Sequence, residues 1–249
     1  MHGTQVAYTL DAASHPRDQL GRITERAEAW PTTRTLDYAY DARGRLTDVL
    51  NGSTTVEHYV YDANGNRTGW TNSSGTWTCS AVDAQDRLTS CTSGASTLSY
   101  TYKANGDVST RLVPSIPMQT LTYDAFGNLL SVVPATGSRI DYVIDGKGLR
   151  VGKKVGGTLT RQWLWSSQLR PIAELDGSGT LLERYVYASH VNVPDLIIKG
   201  TTVYRVVTDH LGSVRAVVNA ATGTAVQTLD YDSFGNIISA SPALGTAGQ

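Results

Sequence analysis

At 249 residues the chain has length for one large β domain or two ordinary ones. Charged residues are 17% of the sequence against roughly a quarter in average globular proteins, glycine takes 24 positions, and the net charge is -1 with both signs interspersed. That balance describes a turn-rich β protein and excludes a basic footprint for nucleic acid or an anionic membrane. No apolar run approaches the roughly 20 residues of a membrane helix, and the start MHGTQVAYTLDAASHP lacks the basic and apolar regions of a signal peptide. An exported parent would carry its signal outside this chain.

Taken from the N-terminus, residues 1–30 form an irregular first repeat whose stretch RITERAEAW, Arg22 to Trp30, reads as a strand and admits a helical turn or two as the alternative. From there one phrase returns: YAYDARGRL, YVYDANGNR, LTYDAFGNL and LDYDSFGNI. Tyrosines two apart share one face of a strand. Asp at the first position of a type I turn accepts from backbone N–H groups two residues on, and Gly at the fourth takes the left-handed conformation that closes a hairpin with a G1 bulge. The turn starts are Asp18, Asp41, Asp62, Asp83, Lys103, Asp124, Asp145, Ser166, Ala188, Asp209 and Asp232, spaced by 20 to 23 residues, with glycine three positions later in eight of the eleven. The best formed are Asp41 with Gly44, Asp62 with Gly65, Asp124 with Gly127, Asp145 with Gly148, Asp209 with Gly212, and Asp232 with Gly235. Units at Ser166 and Ala188 lack both residues and are placed by phase and by the pairs Trp163/Trp165 and Tyr185/Tyr187.

A second set of turn signals, at Asn51 to Ser53, Asn72 to Gly75, Pro134 to Gly137, Gly156-Gly157, Asp176 to Gly179 and Ala220 to Gly223, follows the first by about half a period. Each period is strand, turn, strand, turn, with no room for a helix. The expected fold is therefore all-β: one array of about ten 21-residue antiparallel hairpins over residues 1–249, coiling because sheet twist prevents a flat ribbon. The aromatic rows on one face read first as cross-strand packing and second as a platform for sugars or an enclosed guest.

These phrases resemble the YD repeats of the RHS/YD family: bacterial Rhs proteins, the C component of insecticidal Tc toxin complexes, and animal teneurins. From residue 142 to 236 the likeness tightens through IDGKGLRVGKKVGG, WLWSSQLRPIAELDGSG, RYVYASH and TDHLGSVRAVVNAATGTAVQTLDYDSFGN, the segment leading into the RHS-associated core, with 237–249 as a tail. The resemblance implies a hollow β-shell that encloses or presents a toxic C-terminal domain, or part of an adhesion ectodomain, in a secreted or cell-surface protein. It implies no self-cleavage or toxicity here, because the chain stops thirteen residues after Asn236. Ten periods are also few for a closed shell, which reads as a shell fragment or a small relative.

For chemistry the sequence offers little. Histidines 2, 15, 58, 190 and 210 are scattered without metal-ligand spacing. Asp209-His210 is the best candidate dyad, yet it occupies a repeated turn phrase, and the other aspartates recur at repeat spacing, so they read as structural. Calcium loops need denser oxygen ligands than these turns carry, and GKGLRVG at 146–152 lacks the strand-to-helix context of a phosphate loop. The reading is a non-enzymatic wall without metal or cofactor, partnered by the remainder of its parent polypeptide or a C-terminal toxin domain; the alternative is an adhesion or glycan-binding module. Two further expectations follow. Cys79 and Cys91 lie six residues either side of Gln85, opposite each other in a hairpin, which points to a disulfide in an oxidising compartment or to two adjacent thiols. Nothing in the repeats pairs the first strand with the last, so both edges stay open and invite self-association, blunted at one end by Pro16, Arg17, Asp18 and Pro31 and at the other by Pro242 and an uncharged tail.

Overall fold

The computed structural model describes residues 17–28, 33–209 and 211–241. The expectations for His2, His15, Pro16, Pro31, His210, Pro242 and the tail fall outside those residues. Twenty-one strands follow one another: β1 Glu25–Glu28, β2 Arg34–Tyr40, β3 Leu46–Asn51, β4 Thr54–Tyr61, β5 Arg67–Asn72, β6 Gly75–Val82 and β7 Leu88–Ser93. Next come β8 Ser96–Tyr102, β9 Val108–Val113, β10 Ile116–Tyr123, β11 Leu129–Pro134, β12 Ile140–Ile144, β13 Arg150–Val155 and β14 Thr158–Ser167. The series ends with β15 Arg170–Asp176, β16 Leu181–Val186, β17 Leu196–Lys199, β18 Thr202–Thr208, β19 Val214–Asn219, β20 Ala225–Tyr231 and β21 Ile237–Ala240. Every strand pairs antiparallel with its sequence neighbours, from β1 with β2 to β20 with β21, giving one open meander without a helix among the described residues. The stretch around Arg26 is thus strand β1.

Alternation puts the core on one face. Tyr59 lies opposite Trp70, Trp70 opposite Trp77, Cys79 opposite Cys91, and Cys91 opposite Leu98; Tyr59, Trp77 and both cysteines are buried. The Trp70 and Trp77 rings stack with centroids 5.6 Å apart, and the Cys79 and Cys91 sulfurs are joined with Cα atoms 3.9 Å apart. Threonines such as Thr101 and Thr110, whose hydroxyls meet at 2.6 Å, occupy the opposite face.

The repeated turn has one geometry. In the Asp41 hairpin the Asp41 N–H donates to the Arg45 carbonyl at 3.0 Å and Gly44 N–H to the Asp41 carbonyl at 2.9 Å, with Gly44 at φ 83°. The Asp41 Oδ1 accepts from the N–H groups of Arg43 and Arg45, both at 2.9 Å. A one-residue register shift then falls between Ala39 and Tyr40, and the same shift recurs just before the turns at Asp62, Asp124, Asp145 and Asp232. The extra residue supplies local twist at each of these turns.

Two turns depart from the sequence reading. The unit placed at Ala188 is a nine-residue connection, 187–195, in which Asp195 caps from the far end: its carboxylate accepts from the N–H groups of Ala188 and Ser189 and from the Ser189 hydroxyl. The Asp176 turn, assigned to the half-period set, carries the full aspartate cap, with N–H bonds from Ser178 and Thr180 at 2.9 Å.

The ends of the meander also meet, which the repeats did not foretell. Their backbones do not pair, but Arg34 Nε reaches Glu28 at 2.6 Å while its Nη2 reaches Asp230 at 2.8 Å. Arg215 Nη2 lies 2.9 Å from Asp230 and 3.5 Å from Glu28. Glu28 and Arg215 are fully enclosed, with side chains 1% exposed. The Asp232 turn lies against β4 and β5: Ser233 N–H donates to Glu57, Asn72 donates to Asp232 at 3.0 Å, and the Phe234 ring sits 4.6 Å from that of Tyr59. The curl is therefore clasped by side chains.

Candidate functional site

The feature with the most built geometry is the joint between successive hairpins, which begins at the fifth residue of the turn phrase. Arg22, Arg45 and Arg87 each stand four residues after a turn aspartate and pair with its Oδ2. The same guanidinium then reaches the next repeat and lies over its last tyrosine: Arg22 over Tyr40 at 4.6 Å, Arg45 over Tyr61 at 4.8 Å, and Arg87 over Tyr102 at 4.6 Å. Each of those tyrosines donates its hydroxyl back across the joint. Tyr40 bonds the Ile23 carbonyl at 2.8 Å, Tyr61 that of Leu46 at 2.9 Å, and Tyr102 that of Leu88 at 2.6 Å. The degenerate Ser166 unit keeps the arrangement, with Arg170 over Tyr187 at 5.7 Å and the Tyr187 hydroxyl on the Pro171 carbonyl. A charge-assisted bond, a cation over a ring and a half-buried hydroxyl bond thus converge at the joints of Arg22, Arg45 and Arg87.

The fifth residue changes with the ring it must meet. Where Val82 or Ile144 stands in place of the tyrosine, the preceding turn carries Asn66 or Asn128, whose amide satisfies Asp62 Oδ2 at 3.0 Å or Asp124 Oδ2 at 2.8 Å and reaches no further ring. Three turns break this rule: Asp107 precedes Tyr123, over which Lys103 of the same turn lies at 5.0 Å; Ser213 precedes Tyr231; and Leu149 precedes Trp165. Trp165 keeps the backbone bond, its Nε1 donating to the Arg150 carbonyl at 2.9 Å, but the nearby Arg150 guanidinium lies instead 3.8 Å over Tyr142 of its own repeat. A cleft of about 380 Å³ opens there, between Leu149, Trp163 and Trp165. A second cleft, about 250 Å³, lies at the Asp209 turn, where Ser213 precedes Tyr231; the seam residues Arg26 and Arg215 close in on it.

The predicted turn residues are distributed along the array rather than gathered. Gly44, Gly65, Gly127, Gly148, Gly212 and Gly235 all hold positive φ, between 79° and 99°. Asp41 and Asp124 lie below the ordinary carboxylate range. For Asp41 the largest cause is the Arg45 N–H bonded to it, and for Asp124 it is the Asn128 amide. Asp145 and Asp209 accept the two turn N–H bonds on Oδ1, and Asp232 bridges its own turn to β5.

Other polar clusters have their own arrangements. His58 Nδ1 meets Asp48 Oδ1 at 2.7 Å on the exposed face, as a cross-strand pair. In the 187–195 connection Ser189 contacts both His190 and Asp195, but the carboxylate grips the serine rather than the imidazole, so it does not orient a base toward a nucleophile. That carboxyl sits at about 2, held down first by the Ser189 hydroxyl and then by backbone N–H groups. Burial and neighbouring carboxylates push the Tyr59 and Tyr185 hydroxyls well above their ordinary range. Among the described residues no group of three or more His, Cys, Asp or Glu is arranged to hold a metal ion, and no helix is long and apolar enough to cross a membrane. The fifth-position arginine is the functional residue that sequence reasoning passed over, although Arg or Asn at that place was visible in GRL, GNR and GNL.

No curated protein matches the chain. Among solved structures it is similar to the Photorhabdus luminescens Tc holotoxin pore with mutated TccC3, at 19% identity and a TM-score of 0.35 over 91% of this chain. It is also similar to the TcdB2–TccC3 complex and to TcdB2–TccC3 with Cdc42, both at 17% identity, a TM-score of 0.35 and the same coverage. The chain spans only 12 to 13% of the length of those chains. A family model described as Teneurin YD-shell matches residues 10–244. With its hairpin array matched from end to end, the chain belongs to the teneurin YD-shell family.

Proposed function

We propose that this chain is a structural wall segment of a YD-repeat shell, in a secreted protein of Rhs toxin type whose shell encloses or presents a toxic C-terminal domain. The observation that carries the reading is the joint between hairpins. Tyrosine hydroxyls are committed to backbone carbonyls and their rings are covered by arginines, so most of the aromatic row serves to fasten one repeat to the next. A surface module gripping glycan along its whole aromatic face needs those rings free. The partner of a wall is the rest of its own polypeptide, and its setting is extracellular, in keeping with the family. The array acts as one unit over residues 1–249 and carries no catalysis. Sequencing the parent reading frame past codon 249 tests this. A completed core followed by a variable domain is the expected result; a frame that runs instead into adhesive repeats or a surface anchor would favour the adhesion reading.

A further inference from the structure

We propose that the fold selects Asn51 as a site of spontaneous modification, at which the chain converts this asparagine to aspartate and isoaspartate without an enzyme. Three asparagines precede glycine, at Asn51, Asn64 and Asn105. Glycine has no Cβ to shield its amide nitrogen, so in each pair that nitrogen is open to the asparagine Cγ. The fold ties two of the pairs. Asn64 Nδ2 donates to Asp86 at 3.1 Å and the Gly65 N–H to the Asp62 carbonyl at 3.3 Å; Asn105 Nδ2 donates to Asp107 at 2.7 Å and the Gly106 N–H to the Lys103 carbonyl at 3.0 Å. Leaving group and nucleophile are both held there. Asn51 instead closes β3 at an exposed two-residue tip, Gly52-Ser53, with Gly52 at φ 61°. Neither its carboxamide nor the Gly52 N–H has a hydrogen-bond partner among the described residues. Only the terminal pairs of Asn51 with Leu36 and Thr54 must open for the carboxamide to swing onto the Gly52 nitrogen, and strand ends open at little cost. That nitrogen gives up its proton and bonds to Cγ, the Cγ–Nδ2 bond breaks, and ammonia leaves with the proton. Water then adds to either carbonyl of the resulting succinimide and opens it, to aspartate or, with the backbone rerouted through the side chain, to isoaspartate. The inference goes beyond the wall reading and stands or falls separately from it.

The test is peptide mass spectrometry of the full chain after incubation at neutral pH, folded and in concentrated urea, with isoaspartate counted by its enzymatic methylation. In the folded chain Asn51 converts roughly tenfold faster than Asn64 or Asn105, since each of those must first break two hydrogen bonds. In urea the three sites convert at like rates. Asp86→Gly, which suits the positive φ of 58° at that position, removes the acceptor of Asn64 Nδ2. It quickens the Asn64 site about threefold and leaves Asn51 unchanged. Conversion of Asn51 no faster than that of the other two in the folded chain overturns the proposal. So does an order of rates that persists unchanged in urea, since flanking sequence and not the fold would then set it.

Discussion

A turn glycine of this array is held by backbone shape alone. A Cβ built on Gly65, Gly127 or Gly235 meets nothing within 4 Å, so the cost of substitution is the positive φ and not a clash. Replacing any of them with Val is expected to lose about 1–2 kcal/mol in thermal or urea unfolding, and Asn, which tolerates that conformation, is expected to lose less. Ser115 gives the converse case. It follows Pro114 in a two-residue connection and holds φ 65°, the arrangement of a type II turn that prefers glycine. Ser115→Gly should therefore raise the melting temperature slightly. The turn glycines and the Cys79/Cys91 opposition were legible from spacing, because a period-two strand and a fixed turn leave little freedom of register. Mass spectrometry of non-reduced peptides after export tests the disulfide we propose; complete alkylation of both thiols without reductant would remove it.

The hairpin joint depends on an ion pair that acid can break. Asp41 is held below its ordinary value, so the stability it lends is full above that value and is lost as pH falls through the depressed one. Stability should be insensitive to pH around neutrality and fall below about pH 4, with Asp41→Asn flattening the acid limb. Arg45→Met removes the bond to Asp41 and the cover over Tyr61 together, and should lower the melting temperature by about 2–4 °C. Comparing the two variants in one acid titration separates the charge from the packing. At this scale the sequence displayed the pattern without its meaning. Arg stands at the fifth position of the Asp18, Asp41 and Asp83 turns, and the tyrosine each one covers lies 15 to 18 residues further on, yet a turn read in isolation gives no reason to look so far ahead. The Ala188 unit was illegible for another reason: with Asp and Gly both gone, nothing local marks a connection that Asp195 caps from its other end.

The clasp between the two ends of the meander has no repeat signature, since Asp230 stands where the other phrases carry Ala39, Val60 and Thr122 and Glu28 lies outside the phrase, and periodicity could not announce it. Arg34→Ala removes one of the cations shared by Glu28 and Asp230 and leaves Arg215 and Arg26 beside them, so it should cost about 1.5–3 kcal/mol and loosen the molecule in small-angle scattering. Among the described residues β1 and β21 do not pair with each other. Strand β1 carries Glu25, Arg26 and Glu28, which blunt it, whereas β21 is exposed throughout and presents Ile237 and Ile238. Light scattering across a concentration series should show self-association that Ile238→Lys suppresses; a monomer at every concentration would count against an adhesive C-terminal edge. The same clasp sets an order of events for a chain leaving the ribosome. Every backbone pairing joins sequence neighbours, so hairpins can form one after another as the polypeptide emerges. The contact between Arg34 and Asp230 spans 196 residues and waits for nearly all of them. Synthesis thus delivers an unfastened coil whose last act is to shut, and folding resolves into an early local phase and a late one that Arg34→Ala weakens.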